Sequence, residues 1–143
     1  MKMKRTALFA GSFDPFTVGH EALVRRGLRL FDRIVIGVGV NSAKRCFFST
    51  EERVARIRRL YEGNGAIEVL AYSGMTIDCC HRCGAQFLLR GIRNAKDLEY
   101  EKQVAAVNHA LDPNIETVLL VAEPELEQVS STMVREQLGL GIG

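Results

Sequence analysis

Five short apolar runs, separated by longer amphipathic stretches, constrain the fold of this chain more than any other feature of its sequence. The runs are residues 6–10, 33–40, 66–72, 86–90 and 116–122, and each is rich in Leu or in β-branched residues. Nearly continuous apolar runs are typical of parallel strands that are buried on both faces of a sheet. The sequence therefore predicts five strands, each covered on both sides.

The stretches between the runs have helical periodicity. Residues 18–31 and residues 97–111 each carry an apolar stripe, and "STEERVARIRRLYEG" opens with a helix start signal and ends on Gly63. Strands that alternate with helices form a parallel sheet with helices on both faces. We predict one α/β domain over residues 1–143, with a doubly wound, Rossmann-like sheet of five parallel strands. The two stripes are Leu23, Val24, Gly27, Leu28 and Phe31, and Tyr100, Val104, Val107 and Leu111.

Composition narrows the location and the class of partner. The formal net charge of +2 argues neither for nor against an anionic partner, because only a concentrated patch would matter. No apolar run is long enough to span a bilayer, and the basic N-terminus precedes too few apolar residues for a signal peptide. The four cysteines are too few and too clustered for a disulfide framework. We expect a soluble, cytoplasmic protein with reduced thiols, and neither a membrane nor a nucleic acid as its partner.

The stretch "AGSFDPFTVGH", which joins the first strand to the first helix, has the parts of a phosphate-binding turn. Gly11 and Gly19 let a ligand approach the backbone, and the free N–H groups of a helix start attract anions. Ser12 adds a hydroxyl, and Thr17 is a suitable N-cap, which places His20 in the first turn. The alternative is an ordinary capped loop with an incidental His. The pattern fits neither G-x-G-x-x-G nor the P-loop.

Two motifs at opposite ends of the chain resemble those of a nucleotidyltransferase superfamily. Residues 11–20 match Gly-[Ser/Thr]-Phe-Asp-Pro-x-Thr-x-Gly-His, and "VSSTMVRE" matches Ile-Ser-Ser-Thr-x-[Val/Ile]-Arg with Val129 for Ile. The segments "NSAKR", "RGIR" and "DLEYEKQVAAVN" extend the similarity to the bacterial phosphopantetheine adenylyltransferases, from about Thr6 to Glu136. Ser12 stands where that family more often has Thr. The chain also ends sooner after its Ser-Ser-Thr segment, so we expect a C-terminally short domain.

The resemblance implies a reaction and its partners. An enzyme of this family transfers the adenylyl group of ATP to 4'-phosphopantetheine, which gives dephospho-coenzyme A and pyrophosphate. It implies Mg²⁺ on the ATP phosphates, a homohexamer, and feedback binding of coenzyme A. No carboxylate pair with metal-ligand spacing stands out in the sequence, so we expect the ion to be held by the nucleotide and water. One alternative is a sister enzyme that acts on nicotinate mononucleotide or a phosphorylated alcohol. Another is a nucleotide-binding module without catalysis, such as a thiol-based sensor.

The resemblance also assigns the site residues. Catalytic roles fall to His20, Lys44 and Arg93, with His20 on the α-phosphate of ATP. The phosphopantetheine site comprises Ser12, Lys44, Thr76, Arg90 and Asn108. The ATP site comprises Ser12, Phe13, His20, Gly91, Ile92, Arg93, Glu101, Leu126, Glu127, Gln128, Val129, Ser130, Ser131 and Thr132.

Each assignment has a simpler structural alternative. Arg90 and Arg93 can form surface ion pairs with Asp97 or Glu99, and Glu101 can pair with a Lys. The lysine of "NSAKR" can be a solvated loop residue, and the Ser-Ser-Thr segment can serve only as an N-cap. It is the joint occurrence of these residues at successive strand ends that favours a site.

The segment "DCCHRC" suggests a metal or redox centre. A structural zinc site normally needs a second pair of ligands, which the sequence lacks. We therefore interpret Cys79, Cys80 and Cys83 as small apolar residues that pack a helix onto the sheet.

Overall fold

The structure, a computed structural model, describes residues 4–41, 45–124 and 131–142. Strands and helices alternate along these ranges. The strands are β1 (Thr6–Gly11), β2 (Arg33–Gly39), β3 (Ile67–Tyr72), β4 (Phe87–Ile92) and β5 (Glu116–Val121). The helices are α1 (Val18–Gly27), α2 (Thr50–Leu60), α3 (Thr76–Cys83), α4 (Ala95–Leu111) and α5 (Ser131–Ile142).

The five strands form one parallel sheet in the order β3-β2-β1-β4-β5, which confirms the predicted doubly wound fold. The chain moves outward from β1 through β2 to β3 and then returns to place β4 on the other side of β1. The order therefore reverses between β1 and β4. In open parallel sheets ligands bind in the crevice beyond the carboxyl ends of the strands at such a reversal.

The core lies on both faces of the three inner strands, β2, β1 and β4. Alternate residues of a strand point to opposite faces, so Phe9 packs in one cluster with side chains of α1 and α2, and Leu8 packs in the other with α3. Cys79 and Cys80 are buried in the second cluster, as the sequence indicates. Burial raises the pKa of Cys79 to about 11 and that of Cys80 to about 12, so both remain protonated thiols at neutral pH.

The helix starts have local causes. The Ser49 hydroxyl accepts the amide of Glu52 at 3.2 Å and caps α2, and the Asn94 side chain accepts the amide of Asp97 at 2.9 Å and caps α4. Thr17 precedes α1 in extended conformation, and His20 takes the third helical position, as predicted. No helix within the described ranges is both long and apolar enough to cross a membrane.

Four predictions about the elements were wrong in part. The outer strands β3 and β5 are only partly buried, because an edge strand lacks a neighbour on one side. The sequence predicts that Arg90 to Arg93 follow the fourth strand, but β4 continues to Ile92, so Arg90 lies within it. The sequence predicts a loop from Ser73 to Thr76 after the third strand, but Thr76 is already the first residue of α3. The apolar stripe of α4 is largely exposed, whereas the side chain of Glu101 on the same helix is buried.

Candidate active site

Two cavities meet beyond the carboxyl ends of β1 and β4. The first, which we call the α1 cavity, has a volume of about 460 Å³ and is lined by the start of α1, the end of β4 and the start of α5. The second, the α4 cavity, has a volume of about 540 Å³ and is lined by α4 and by the ends of β2 and β3. The two share Ala10, Gly11, Ser12, Arg90 and Tyr100. A ligand in each cavity would therefore reach the other at Ser12 and Arg90.

His20 is held at the α1 cavity by its own helix start. The backbone N–H of Thr17 donates to His20 Nδ1 at 2.9 Å, so this nitrogen is an acceptor and the neutral ring carries its proton on Nε2. The rings of Phe13 and Phe16 lie 5.0 Å and 5.1 Å from the imidazole. The local sequence thus fixes both the tautomer and the place of the ring.

The environment of His20 favours the uncharged imidazole. Burial, followed by the positive charges of Arg93 and Arg90, lowers its pKa from 6.5 to about 4. At neutral pH and without a ligand, His20 is therefore a neutral Nε2–H donor. Such a group stabilises negative charge on a phosphate without first taking up a proton.

Arg90 crosses the boundary between the two cavities. Its Nε and Nη2 donate to the two carboxylate oxygens of Glu101 at 2.9 Å and 2.7 Å, and Nη1 donates to the carbonyl of Ala10 at 2.6 Å. Burial acts to lower the pKa of Arg90, but the hydrogen bonds and charge of Glu101 outweigh it and raise the pKa. The partner of Arg90 is thus Glu101, and not Asp97 or Glu99 as in the simpler alternative.

Arg93 forms the ion pair that the simpler alternative predicts. Its Nε donates to Asp97 Oδ2 at 3.0 Å, and its backbone N–H donates to the same oxygen at 2.9 Å. Burial acts to raise the pKa of Asp97, but these bonds and the charge of Arg93 outweigh it and lower the pKa. Both residues line the α1 cavity, so the ion pair does not remove Arg93 from the candidate site.

The two sequence motifs from opposite ends of the chain touch. The Ser131 hydroxyl at the start of α5 donates to the carbonyl of Pro15 at 2.8 Å, and Arg135 donates to the carbonyl of Asp14 at 2.6 Å. Arg135 also donates to the hydroxyl of Thr132 at 3.0 Å. The start of α5 therefore closes one side of the α1 cavity.

Apart from Arg90 at the boundary, the described side chains that line the α4 cavity are neutral polar or apolar. Thr76 at the start of α3 and Asn108 on α4 both line it, as do Val104 and Tyr72. The hydroxyls of Tyr72 and Thr76 lie 3.2 Å apart and form a hydrogen bond. This lining suits an uncharged arm with amide and hydroxyl groups.

Most of the predicted site residues that the structure describes line one of these cavities. The α1 cavity includes Ser12, Phe13, His20, Arg90, Gly91, Ile92, Arg93, Glu101, Ser131 and Thr132, and the α4 cavity includes Ser12, Thr76, Arg90 and Asn108. Lys44, Leu126, Glu127, Gln128, Val129 and Ser130 lie outside the described residues. Among the described side chains, no group of three or more His, Cys, Asp or Glu residues is arranged to hold a metal ion.

Three residues that hold the loop after β1 in place were not predicted from the sequence. The buried carboxylate of Asp14 accepts the amides of Phe47 and Phe48 at 2.7 Å and 2.8 Å, which ties the segment before α2 to the loop after β1. Arg53 and Arg135 bind backbone carbonyls of the same loop. Asp14 and Arg135 stood within recognised motifs, which marked them but not their contacts. For Arg53 the sequence held no signal beyond its place on an amphipathic helix.

Comparison with known families and structures agrees with this architecture. The profile of the Cytidylyltransferase-like family matches residues 8–137. A bifunctional NMN adenylyltransferase/ADP ribose pyrophosphatase from Francisella tularensis has a TM-score of 0.69 at 16% identity, over 97% of this chain and 43% of its own. A lipopolysaccharide core biosynthesis protein from Thermoplasma volcanium has a TM-score of 0.62 at 17% identity, over 85% of this chain and 99% of its own. These two structures share the fold.

Fold, cavities and family profile together define a nucleotidyltransferase of the cytidylyltransferase-like class. Sequence relatives make the assignment finer. The phosphopantetheine adenylyltransferase of Bacteroides thetaiotaomicron is 50% identical over 134 residues, which cover 94% of this chain and 88% of the relative. That of Limosilactobacillus fermentum is 40% identical over 132 residues, which cover 92% and 76%. The chain belongs to the phosphopantetheine adenylyltransferase family.

Proposed function

We propose that this enzyme transfers the adenylyl group of ATP to 4'-phosphopantetheine, which yields dephospho-coenzyme A and pyrophosphate. The observation that carries the proposal is the meeting of two cavities at Ser12 and Arg90, with the neutral imidazole of His20 on one of them. A transfer between two phosphorylated substrates needs two such sites and a shared boundary where the reacting phosphates meet.

ATP occupies the α1 cavity in this proposal. The nucleotide contacts Ser12, Phe13 and the start of α5, and its phosphates lie against His20 and Arg93. Glu101 contributes to this site by holding Arg90, because both oxygens of its carboxylate accept hydrogen bonds from that guanidinium. Leu126 to Ser130 complete this site in the family pattern, and we retain them as part of the proposal.

Phosphopantetheine occupies the α4 cavity, with its phosphate at the boundary and its neutral arm towards α4. Ser12 and Arg90 hold the phosphate together with Lys44, and Arg suits a bidentate phosphate contact. Thr76 and Asn108 line the part of the cavity where the amide-bearing arm lies.

The chemistry depends on position and charge. A phosphate oxygen of phosphopantetheine attacks the α-phosphorus of ATP, a new P–O bond forms, and the bond to the β-phosphate oxygen breaks to release pyrophosphate. The attacking oxygen is already anionic at neutral pH, so no general base is needed. His20 donates its Nε2–H to the α-phosphate, where negative charge accumulates, and Arg93 and Lys44 hold the flanking phosphates.

Mg²⁺ enters as part of the ATP substrate in this proposal. Among the described residues, four carboxylates line the α1 cavity, and each already has an amide or guanidinium partner: Asp14, Asp97, Glu101 and Glu123. We therefore assign the ion to the phosphates and water. We further propose that residues 1–143 act as one domain in the cytoplasm, as a homohexamer that coenzyme A inhibits by binding in place of the substrates.

The test is pyrophosphate release from ATP and Mg²⁺ with 4'-phosphopantetheine, nicotinate mononucleotide or no acceptor. We expect release with phosphopantetheine alone, and a loss of roughly 100-fold or more in kcat for His20→Ala. Release with nicotinate mononucleotide instead would agree with an adenylyl transfer but would refute 4'-phosphopantetheine as the acceptor. ATP binding without release for any acceptor would refute catalysis and support a binding module.

A further inference from the structure

The positive charges at the boundary of the two cavities are unequally compensated. The guanidinium of Arg90 is neutralised by Glu101 through two hydrogen bonds, and that of Arg93 pairs with Asp97. Arg135 lies 3.9 Å from Asp14 Oδ2. Ion pairs of this kind weaken the attraction that each Arg exerts on an incoming phosphate. A buried cation without a carboxylate partner near this boundary would add to the positive potential that Lys44 and these arginines supply.

Arg53, on the second turn of α2, is a buried cation without a carboxylate partner among the described residues. Only 3% of the surface of Arg53 is exposed to solvent. A fully buried Arg is rare unless its charge is paired, because burial removes the hydration of the ion. Within the same part of the structure its Nε has no hydrogen-bond partner either.

The contacts of Arg53 join the ends of two strands. Its Nη1 donates to the carbonyl of Ser12 at 2.7 Å and reaches that of Gly39 at 3.3 Å, while Nη2 donates to the Thr50 hydroxyl at 3.0 Å. Ser12 follows β1 and lines both cavities, and Gly39 ends β2 and lines the α4 cavity. The guanidinium therefore lies directly behind the backbone of the shared boundary.

We propose that Arg53 is a positioning residue for both phosphate substrates. It holds the Ser12 turn against the end of β2, and its charge, which no described carboxylate pairs, attracts the phosphates that meet on the other side of that turn. The buried setting screens this charge less than that of a surface Arg. The proposal rests on the proposed function, since it assigns the phosphates of ATP and phosphopantetheine to this boundary.

The experiment compares Arg53→Gln, Arg53→Lys and Arg59→Gln. Arg59 lies on the same helix and is exposed, and within the described ranges its hydrogen bond is to the carbonyl of Ala55 at 3.4 Å, so R59Q removes the same charge without a buried contact. Dissociation constants for ATP and for phosphopantetheine are measured by calorimetry on the full chain, and kcat by pyrophosphate release. Arg53→Met, a neutral apolar side chain of similar length, replaces R53Q if that variant does not fold.

We expect R53Q to weaken the binding of both substrates by about tenfold, and R53K to bind both within about threefold of the wild type. R53K should still lower kcat by roughly tenfold, because an ammonium group cannot bridge two carbonyls as a guanidinium does. R59Q should match the wild type. Wild-type affinities in R53Q, or equal weakening in R53K and R53Q, would overturn the proposal.

The calorimetric binding measurements distinguish a failure of the role proposed for Arg53 from a failure of the proposed reaction. A wild-type enzyme that binds ATP but releases no pyrophosphate with phosphopantetheine refutes the proposed reaction. The effect of Arg53 on ATP affinity is measured in either case, and equal affinities for the wild type and R53Q refute the role of Arg53 alone.

Discussion

At the scale of the residue, His20 does two jobs with its two ring nitrogens. Nδ1 accepts a hydrogen bond from the Thr17 amide. His20 thereby takes the role that a Glu or Gln usually has at the third position of a capping box. That bond leaves the proton on Nε2, the nitrogen that we propose donates to the α-phosphate of ATP. A side chain that caps its own helix is held with little freedom, and a fixed donor needs no reorganisation when charge develops.

The low pKa of His20 predicts a specific loss of stability in acid. Between pH 6.5 and pH 4 the unfolded chain protonates this imidazole while the folded chain does not, so the free energy of unfolding falls as the pH falls through that range. The loss amounts to about 3 kcal/mol, at ~1.4 kcal/mol for each pKa unit. Urea denaturation of the wild type and of His20→Asn, without substrates, measures it at pH 4, 5, 6 and 7.

His20→Asn is the matched control because the Asn oxygen can still accept the Thr17 amide, whereas its side chain does not titrate. Other groups that titrate in this range contribute equally to both proteins. The difference in unfolding free energy between them should therefore shrink as the pH falls. Parallel curves for the two proteins would show that the imidazole titrates normally in the fold.

At the scale of the element, β4 and α1 pack very closely against each other beside the site. A Cβ on Gly91 would lie 2.4 Å from Leu23 Cδ1 of α1 and 3.3 Å from Leu23 Cγ. Contacts below 3.0 Å do not occur between such atoms, so a side chain at position 91 forces Leu23 to move. This close approach places Arg90 and Arg93 beside the start of α1.

Gly91→Ala should destabilise the fold by about 1–3 kcal/mol through overpacking. Gly65→Ala is the control, since a Cβ at that position meets nothing within 4 Å. In the background of Leu23→Ala the cost of G91A should largely disappear, because the clashing atoms are gone. Denaturant unfolding of the wild type, the three single variants and the double variant measures the coupling, and an unchanged cost of G91A in the L23A background would contradict it.

A second prediction at this scale concerns α5. Ser131→Ala removes the bond to the carbonyl of Pro15 and loosens the side of the α1 cavity. One hydrogen bond contributes about 1 kcal/mol, so we expect KM for ATP to rise roughly fivefold. KM for phosphopantetheine, which binds in the other cavity, should stay the same. Steady-state kinetics with each substrate varied in turn tests this, and an equal rise of both KM values would argue against separate sites.

The sequence predicted the elements better than their contacts. Apolar runs are local, so the strands lie within two residues of the predicted bounds. The helix-start position of His20 also followed from local rules. In contrast, the bonds of Asp14 to Phe47 and of Arg53 to Ser12 join residues 33 and 41 positions apart, and local patterns do not encode such distances. The sequence showed the α4 stripe but not that it lacks cover.

At the scale of the whole molecule, α4 presents an apolar stripe that the rest of the described chain does not cover. Val107 is 61% exposed and Leu111 is 46% exposed. They continue the face on which Tyr100 and Val104 line the α4 cavity, since positions four and seven apart share one side of a helix. A second copy of the chain that packed on Val107 and Leu111 would therefore border the phosphopantetheine site. This is the face we assign to the proposed homo-oligomer.

The double variant Val107→Glu/Leu111→Glu should dissociate that oligomer, because packing would bury two carboxylates without partners. Sedimentation equilibrium should give a multiple of the chain mass for the wild type and a smaller assembly for the variant. Leu60→Glu on α2, where the side chain is 53% exposed, is the matched control and should keep the wild-type mass. If the stripe borders the site, the double variant should also raise KM for phosphopantetheine by more than it raises KM for ATP. A monomeric wild type, or a double variant of unchanged mass, would refute an interface on α4.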